Sequence, residues 1–401
     1  MTAGRRAAGG LLAAAGLALV LALTLTPAAG LDEGRFRWCL LCGDLGLADF
    51  VANVLLLVPL AAGLALLGVA GRRIVAAAFL LATAVELAQL AVPGRESTLG
   101  DVAAATLGAT LVVRARPRWP VRRSLPASVF AAAAALAVMA GTGIALRPSL
   151  PPTAWFGQWT AKQAGMEWYR GTVLDASIAG LPLRDGPLED SRAVRERLSA
   201  GEPLTVHARA GPRPPGLAPL FAIADADQRG ILLVGIDGDD LVLRVRLRAA
   251  DAGLGQPELR WRGVLASLRA TDALTVTVRR TGGGSCLAVN GRERCGLGYP
   301  AGRGWALVHA VPGLPPAAVA ALDGGFVALA ALLVGLVVTR GAAGAATALV
   351  VLLGLAVLPP ALGLLPTPAL QLAASAAGLV AGGLAPDGDQ LAHAPVDAGV
   401  G

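Results

Sequence analysis

One stretch of this sequence decides much of the fold: Cys286-Leu-Ala-Val-Asn-Gly-Arg-Glu-Arg-Cys295. Asn-Gly is a strong signal for a two-residue type I′ turn, so the residues on either side should pair as antiparallel strands. Counting outward from the turn places Cys286 opposite Cys295 in a non-hydrogen-bonded pair, where Cα atoms lie about 4.5 Å apart. A disulfide fits that separation. The sequence therefore predicts this bridge and an oxidising compartment around it.

The residues before this hairpin carry further β-strand patterns. Each run alternates apolar and polar residues or is β-branched, and is bounded by Gly, Pro, Asp or Asn. Asp237-Gly238 predicts a second tight hairpin. The runs cover residues 204–210, 220–224, 231–236, 241–247, 258–261 and 274–279. We therefore predict an all-β antiparallel sandwich, of the jelly-roll type, within residues 151–314.

Two strand pairs of this region resemble a known group. Arg229-Gly-Ile-Leu-Leu-Val-Gly-Ile-Asp237 with Leu241-Val-Leu-Arg-Val, and Leu274-Thr-Val-Thr-Val-Arg-Arg with the disulfide hairpin, are similar to the concanavalin A-like, laminin-G-like sandwiches. The resemblance implies binding of a glycan or another extracellular ligand, although a fold alone does not fix function.

Several residues of the predicted sandwich have both a binding and a structural explanation. Asp237, Asp239 and Asp240 could hold calcium or simply form a polar turn. Trp261 and Trp305 could stack on sugar rings or pack in the core. A further aromatic group follows the preceding apolar helix and is expected to form a belt at the membrane interface; it consists of Trp155, Phe156, Trp159, Trp168 and Tyr169.

The segments around the sandwich are strongly apolar. Hydrophobic residues make up 55% of the chain and charged residues only 15%, unlike a soluble domain. Because a helix needs about 20 apolar residues to cross a bilayer, we predict an α-helical transmembrane bundle of about eight spans. These are residues 7–26, 50–69, 74–92, 99–113, 128–146, 317–338, 343–358 and 368–384. The fourth is short and could be a re-entrant helix.

Arginines between the spans predict the topology. If all eight spans exist, the following fall on one side: Arg5, Arg6, Arg72, Arg73, Arg114, Arg116, Arg118, Arg122, Arg123 and Arg340. Positive charge marks cytoplasmic loops, so both termini should be cytoplasmic and the sandwich extracytoplasmic. This accounts for the net charge of +7 without a nucleic-acid partner. Alternatively, the first apolar run is a signal peptide, which leaves residues 30–49 outside as well.

The predicted multi-domain chain has five parts. They are a four-helix transmembrane domain at 1–125, a fifth transmembrane helix at 126–150, the sandwich at 151–314, three C-terminal transmembrane helices at 315–385 and a disordered cytoplasmic tail at 386–401. Lys162 is the only lysine, and the excess of Arg, Ala, Gly and Leu is typical of a GC-rich bacterial genome. We expect a cell-membrane protein of the bacterial envelope, with the lipid bilayer as a partner and no cofactor.

Six polar residues lie near the outer ends of the first predicted helices: Asp49, Asn53, Glu86, Gln89, Arg95 and Asp101. A charge within a span costs about 2.5–3.5 kcal/mol by insertion scales, so it usually faces a partner or a wet cavity. We predict a ligand-binding pocket here, in which Asp49, Glu86 and Asp101 are also the candidate catalytic acids.

The same residues have structural explanations. Thr98 and Asp101 fit a capping box at a helix start. Glu86 and Gln89 could join helices by hydrogen bonds, and Arg95 could be an interface anchor. Glu86 and Arg95 are nine positions apart, about 13 Å along a straight helix, so they pair only if the loop between them folds back.

This set resembles the VanZ-like family in order and spacing over residues from about 10 to 115. The motifs are Cys39-Leu-Leu-Cys-Gly43, Asp49-Phe-Val-Ala-Asn-Val-Leu-Leu-Leu-Val-Pro59, Glu86-Leu-Ala-Gln89 and Arg95-Glu-Ser-Thr-Leu-Gly-Asp101. Leu60 departs from the family's usual Gly, and Ala104 or Ala105 from its frequent Asn. The resemblance implies a link to lowered sensitivity to glycopeptide antibiotics of the teicoplanin type.

Cys39 and Cys42 form a C-x-x-C pattern. It is either a redox or metal site or a small structural disulfide. No second C-x-x-C and no nearby His completes a zinc set, which favours the disulfide.

Two functions are compatible with these features. The first is a non-enzymatic envelope protein whose outer pocket and sandwich bind a cell-wall glycan or another surface ligand. The alternative is a membrane enzyme acting on a lipid-linked envelope precursor, with the three acids as acid–base groups and Arg95 holding a phosphate.

Overall fold

The computed structural model of the chain describes residues 3–27, 36–115, 123–163, 165–282 and 284–384. Arg116, Arg118, Arg122 and the predicted tail 386–401 lie outside the described residues. The α-helices of the described ranges are, in chain order, α1 (Ala3–Leu25), α2 (Gly46–Leu56), α3 (Val58–Leu66), α4 (Gly71–Gln89), α5 (Leu99–Ala115), α6 (Leu125–Ala145), α7 (Ser191–Ala200), α8 (Arg248–Asp251), α9 (Pro316–Val337), α10 (Ala342–Ala361) and α11 (Ala369–Gly383).

Among the described residues, five helical segments are long and apolar enough to cross a membrane: Arg6–Leu25, Gly46–Leu66, Leu125–Ala145, Pro316–Val337 and Ala342–Ala361. The prediction of eight spans is therefore not supported. The three remaining apolar runs are helical, as α4, α5 and α11, but α4 carries Arg72, Arg73 and Glu86. Helices α5 and α11 have 17 and 15 residues, or about 22–26 Å, which is short for a hydrocarbon core of about 30 Å.

Small residues let the first helices approach closely. Helix α1 packs on α3, and α5 packs on both α2 and α4. A Cβ atom on Gly63 would lie 2.4 Å from the backbone nitrogen of Ala13, and one on Gly108 would lie 2.2 Å from the carbonyl oxygen of Val54. Such contacts are typical of helices that associate in a bilayer, where van der Waals packing replaces the hydrophobic effect.

The strands are β1 (Phe36–Arg37), β2 (Ser97–Thr98), β3 (Trp155–Trp159), β4 (Thr172–Ile178), β5 (Leu181–Pro182), β6 (Gly186–Pro187), β7 (Leu204–Arg209), β8 (Ala218–Asp225), β9 (Gly230–Asp237), β10 (Asp240–Val245), β11 (Leu259–Trp261), β12 (Ala273–Thr281), β13 (Gly284–Val289) and β14 (Arg292–Leu297). Two antiparallel six-stranded sheets result. Their orders are β11-β10-β9-β8-β3-β6 and β14-β13-β12-β7-β4-β5. The predicted antiparallel β domain is thereby confirmed.

One aromatic prediction was wrong. Trp155 and Trp159 belong to β3 rather than to a belt at the membrane interface. Trp155 is fully buried and Tyr169 is 2% exposed, both in the core between the sheets. The sequence Trp-Phe-Gly-Gln-Trp places its two tryptophans four positions apart, so both lie on the same face of the strand.

The hairpin at Asn290-Gly291 forms as predicted. Both turn residues have positive φ, 48° and 82°, as a type I′ turn requires. The register pairs Val289 with Arg292 and Leu287 with Arg294, and an irregularity follows between Ser285 and Leu287. The disulfide between Cys286 and Cys295 is present, with 3.9 Å between the Cα atoms.

Replacing both Cys286 and Cys295 by Ser is expected to destabilise the sandwich by about 2–3 kcal/mol, because the bridge closes a loop of about ten residues in the unfolded chain. The measurement is thermal unfolding of the purified full chain with and without reductant. Reductant should lower the midpoint of the wild type toward that of the variant and leave the variant unchanged. Arg292→Ala, in the same hairpin, is the control. An equal midpoint for wild type and double variant would contradict this prediction.

The sandwich lies against one end of the helices. The backbone amide of Ala48, in the first turn of α2, donates to the carbonyl oxygen of Gly253 at 3.0 Å. At the same end, the side chain of Arg147, after α6, donates to the carbonyl oxygen of Leu362, after α10, at 2.9 Å. The backbone amide of Leu365 donates to the carbonyl oxygen of Tyr299 in the sandwich at 3.0 Å. Both the first and the last helices therefore support the β domain.

Candidate functional site

Helices α2 and α5 are joined by polar side chains near the end that faces the sandwich. The Nδ2 atom of Asn53 donates to Oδ1 of Asp101 at 2.7 Å and to the backbone oxygen of Asp49 at 3.1 Å. Asn53 and Asp49 face the same way because they are four positions apart on one helix. Three of the six predicted site residues are thus brought together.

Glu86 reaches the same place from α4. It is 5% exposed, and its Oε2 accepts from the backbone amide of Thr98 at 2.8 Å. The hydroxyl of Thr98 in turn accepts from the amide of Asp101 at 3.1 Å. In a capping box, an acid three residues after the cap residue accepts from the backbone amide of the cap residue. Here Thr98 is the cap residue, and Glu86 of α4 accepts from its amide in place of Asp101. The carboxylate of Asp101 is left for Asn53.

We call Asp49, Asn53, Glu86 and Asp101 the carboxylate cluster. Its acids lie at increasing depth, because Asp49 is exposed, Asp101 is half-buried and Glu86 is buried. They interact electrostatically in the same order, Asp49 with Asp101 and Asp101 with Glu86. Asp49 lies in the first turn of α2, next to Ala48, whose amide donates to Gly253 of the sandwich. The cluster is therefore open toward the β domain.

Gln89 and Arg95 lie elsewhere. The Nε2 of Gln89 donates to the carbonyl oxygen of Thr24 at 3.0 Å. Arg95 donates to the carbonyl oxygens of Thr26 at 2.9 Å and Leu23 at 2.6 Å. Together they satisfy the otherwise unpaired carbonyls at the C-terminus of α1, where a cation also suits the helix dipole. The loop does fold back, but it brings Arg95 to α1 rather than to Glu86.

Cys39 and Cys42 form the predicted disulfide, with 5.6 Å between the Cα atoms. The carbonyl oxygen of Cys39 accepts from the amide of Gly100 at 3.0 Å. A Cβ atom on Gly100 would lie 2.2 Å from the carbonyl oxygen of Leu40. The small disulfide loop therefore packs directly on the first turn of α5, beside Asp101, which favours its structural explanation.

The acidic turn of the sandwich is occupied by arginines. Asp239 pairs with Arg213 at 2.9 Å. Arg260 contacts Asp237 at 2.7 Å, Asp240 at 3.0 Å and Glu258 at 3.1 Å. Guanidinium groups thus take the positions in which a calcium ion was considered. Trp261, also considered as a binding residue, is 8% exposed and packs in the core.

Glu258 and Arg260 have altered acidity. Burial disfavours the charged form of Glu258, but its contacts with Arg260 and Arg244 outweigh burial and hold the pKa of this carboxyl below its ordinary value. Burial likewise opposes the charge of Arg260, yet its three carboxylate partners raise the pKa of the guanidinium further. Arg262 lies 3.7 Å from Asp240, so three arginines, Arg244, Arg260 and Arg262, balance the three carboxylates.

Sequence reasoning missed a buried acid in the span Pro316–Val337. Asp323 is 3% exposed and accepts from Nε of Arg303 at 2.9 Å, from Nη2 of Arg303 at 3.2 Å and from Nε1 of Trp305 at 2.7 Å. An acid inside an apolar span was itself a signal, because such residues are rare and usually paired. A cavity of about 440 Å³ adjoins these three residues, between α9 and the sandwich.

Comparison with known proteins assigns the first part of the chain. Residues 17–114 match the family model described as VanZ/LLP1. No curated protein and no solved structure matches the chain. The matched residues include the carboxylate cluster, the disulfide loop and the two residues that cap α1. Residues 17–114 are therefore similar to the VanZ/LLP1 family, and the β-sandwich lies outside the matched residues.

Proposed function

We propose that this protein binds a component of the bacterial cell wall at the carboxylate cluster, beneath the sandwich, and thereby lowers sensitivity to glycopeptide antibiotics of the teicoplanin type. The observation that carries the proposal is the hydrogen bond from the amide of Ala48 to the carbonyl of Gly253. It joins the sandwich to the helix turn that also holds Asp49, so a ligand at the cluster would meet both domains.

The chemistry of the cluster limits what it would bind. It offers carboxylate oxygens and the Asn53 amide, and Arg95 does not join it. Carboxylates accept hydrogen bonds and attract cations. The complementary ligand group is therefore a hydroxyl or an ammonium, as found on wall glycans and their peptides, rather than a phosphate.

The sandwich offers a second surface for a glycan. On the partly exposed outer face of the second sheet, the hydroxyls of Thr205 and Thr277 lie 3.2 Å apart, and Nδ1 of His207 lies 3.0 Å from the hydroxyl of Thr275. Such rows of short polar groups can hydrogen-bond sugar hydroxyls. Their presence is consistent with the concanavalin A-like resemblance. The same proposal places the sandwich and the cluster on the extracytoplasmic side, because Arg72, Arg73 and Arg114 lie at the opposite ends of α4 and α5 from the cluster and positive charge marks the cytoplasmic side.

The test uses the full chain with Asp49→Asn, Asp101→Asn and, as a control, Glu196→Gln on exposed helix α7. Each is expressed at matched membrane levels in a teicoplanin-sensitive host, and each is also purified in nanodiscs for titration with muropeptides. The two cluster variants should lose both teicoplanin protection and muropeptide binding, whereas the control should keep both. Unchanged binding in Asp49→Asn and Asp101→Asn would overturn the proposal.

Glu86→Gln separates binding from catalysis. Its carbonyl oxygen can still accept from the amide of Thr98, so folding should persist and a binding function should survive. Glu86→Ala removes that acceptor and leaves a buried amide unpaired, which costs about 1–3 kcal/mol. If Glu86→Gln keeps muropeptide binding but abolishes protection, the acid–base alternative on an envelope precursor replaces the binding proposal.

A further inference from the structure

The sandwich contains a cavity of about 400 Å³ between its two sheets. Its walls are apolar: Leu232 and Leu243 come from the first sheet, Val278 and Leu297 from the second. Protein interiors have few voids larger than a water molecule, and apolar voids favour apolar ligands over water. The volume lies within the range of roughly 300–1,000 Å³ that small-molecule sites occupy.

The cavity opens where the sandwich meets the helices. Its lining includes Leu146, the residue after α6, and Gly363 and Leu364 in the turn between α10 and α11. Both α6 and α10 are long and apolar enough to cross a membrane. Their ends mark the level of the bilayer surface, so the opening faces the region of lipid headgroups.

Arg280 stands at this opening, and Arg147, the residue after Leu146, lies near it and donates to the carbonyl oxygen of Leu362. Arg280 lines the cavity and lies at the end of β12. Within the described part of the chain its side chain has no hydrogen-bond acceptor. Burial, and then the nearby charge of Arg147, lower the pKa of Arg280. Glu202 also lines the cavity, but it pairs with Arg197 at 3.6 Å. The buried Oε2 of Glu202 accepts no hydrogen bond from the described residues. Because Arg280, Arg147 and Arg197 outnumber this one carboxylate, the region around the opening is positively charged overall.

We propose that the sandwich takes up one hydrocarbon chain of an anionic membrane lipid into this cavity, while Arg280 and Arg147 hold the lipid's phosphate. An apolar cavity of this size matches a chain, and the guanidinium of Arg280 at its opening, with Arg147 nearby, matches a phosphate. A phospholipid and a polyprenyl phosphate both carry these two groups. This site is separate from the carboxylate cluster and does not depend on the function proposed for it.

The test is photo-crosslinking of the full chain in nanodiscs. The probes are phosphatidylglycerol, polyprenyl phosphate and zwitterionic phosphatidylcholine, each carrying a diazirine at the end of one hydrocarbon chain. We expect the anionic probes to label cavity residues such as Leu243 and Val278, as mapped by mass spectrometry. The anionic probe that labels more strongly identifies the natural class of lipid.

Arg280→Gln should lower cavity labelling by the anionic probes roughly tenfold, the scale of one charge-assisted hydrogen bond. Arg279→Gln is the matched control, because Arg279 is the preceding residue on β12 and pairs with Glu293 at 3.1 Å. Val245→Trp, which fills the cavity, should abolish the labelling in protein that still folds. Labelling confined to the spans, or equal labelling of the Arg279→Gln and Arg280→Gln variants, would overturn the proposal.

Discussion

Asp323→Ala is expected to lower the unfolding midpoint of the full chain more than any exposed substitution. The carboxylate is 3% exposed within the span Pro316–Val337 and accepts three hydrogen bonds from Arg303 and Trp305. Removing one partner of a buried ion pair leaves the other charge uncompensated, which costs about 3–5 kcal/mol. Because Arg303 and Trp305 lie between the sandwich and α9, the loss should also loosen the β domain from the helices.

A double-mutant cycle separates the charge from the packing. Arg303→Met alone and Asp323→Leu alone should each destabilise the protein about as much as Asp323→Ala, since each leaves one buried charge. The combination Arg303→Met with Asp323→Leu replaces the pair by apolar groups of similar volume and should recover much of the loss. Glu196→Ala, whose pair with Arg192 is exposed, is the control. Additive effects of the two substitutions would show that the pair is not coupled.

Local patterns predicted the parts of the fold that local chemistry controls. Asn290-Gly291 has the two positive φ angles that its sequence favours, and counting from that turn identified the disulfide partners. The six predicted strand runs all overlap observed strands. In each case the alternation of side chains decides which face is buried, and this needs no knowledge of distant residues.

Tertiary contacts explain the residues whose positions the sequence did not predict. The six polar residues of the VanZ-like segment looked equivalent in sequence, yet Gln89 and Arg95 satisfy carbonyl groups of α1. Those carbonyls are more than sixty positions away, so spacing alone could not assign them. Trp155 was expected at the membrane interface because it follows an apolar helix, but it is buried in the core of the sandwich, with Arg195 of α7 5.3 Å from its ring. Asp323 was overlooked because its partners precede the span in the sandwich.

Arg260→Met is expected to destabilise the sandwich by about 3–5 kcal/mol at pH 7, because it leaves three carboxylates without their shared cation. The Arg260 side chain is 10% exposed, and those of Glu258, Asp240 and Asp237 are 11%, 15% and 25% exposed. Arg244 still contacts Glu258 at 3.0 Å in the variant, so part of the compensation remains.

The loss of stability in Arg260→Met should depend on pH, and the protonation of Glu258 determines whether it grows or shrinks as pH rises. In the wild type its pKa is lowered, so its contribution is present above the unfolded value of about 4.3 and is lost only as pH falls through the lower folded value. Without Arg260, burial and the two aspartates should raise the pKa instead. The folded variant then binds more protons than the unfolded chain near neutral pH, and its stability falls as pH rises.

Thermal unfolding of the purified full chain at pH 7 and pH 5 distinguishes these cases. The difference between wild type and Arg260→Met should be largest at pH 7 and smaller at pH 5, where the uncompensated carboxyls take up protons. Arg229→Met, which removes an exposed arginine paired with Asp227, should show neither the loss nor the pH trend. A deficit of the same size at both pH values would mean that Arg260 contributes by packing alone, because the acidic groups that contact Arg260 are all carboxylates.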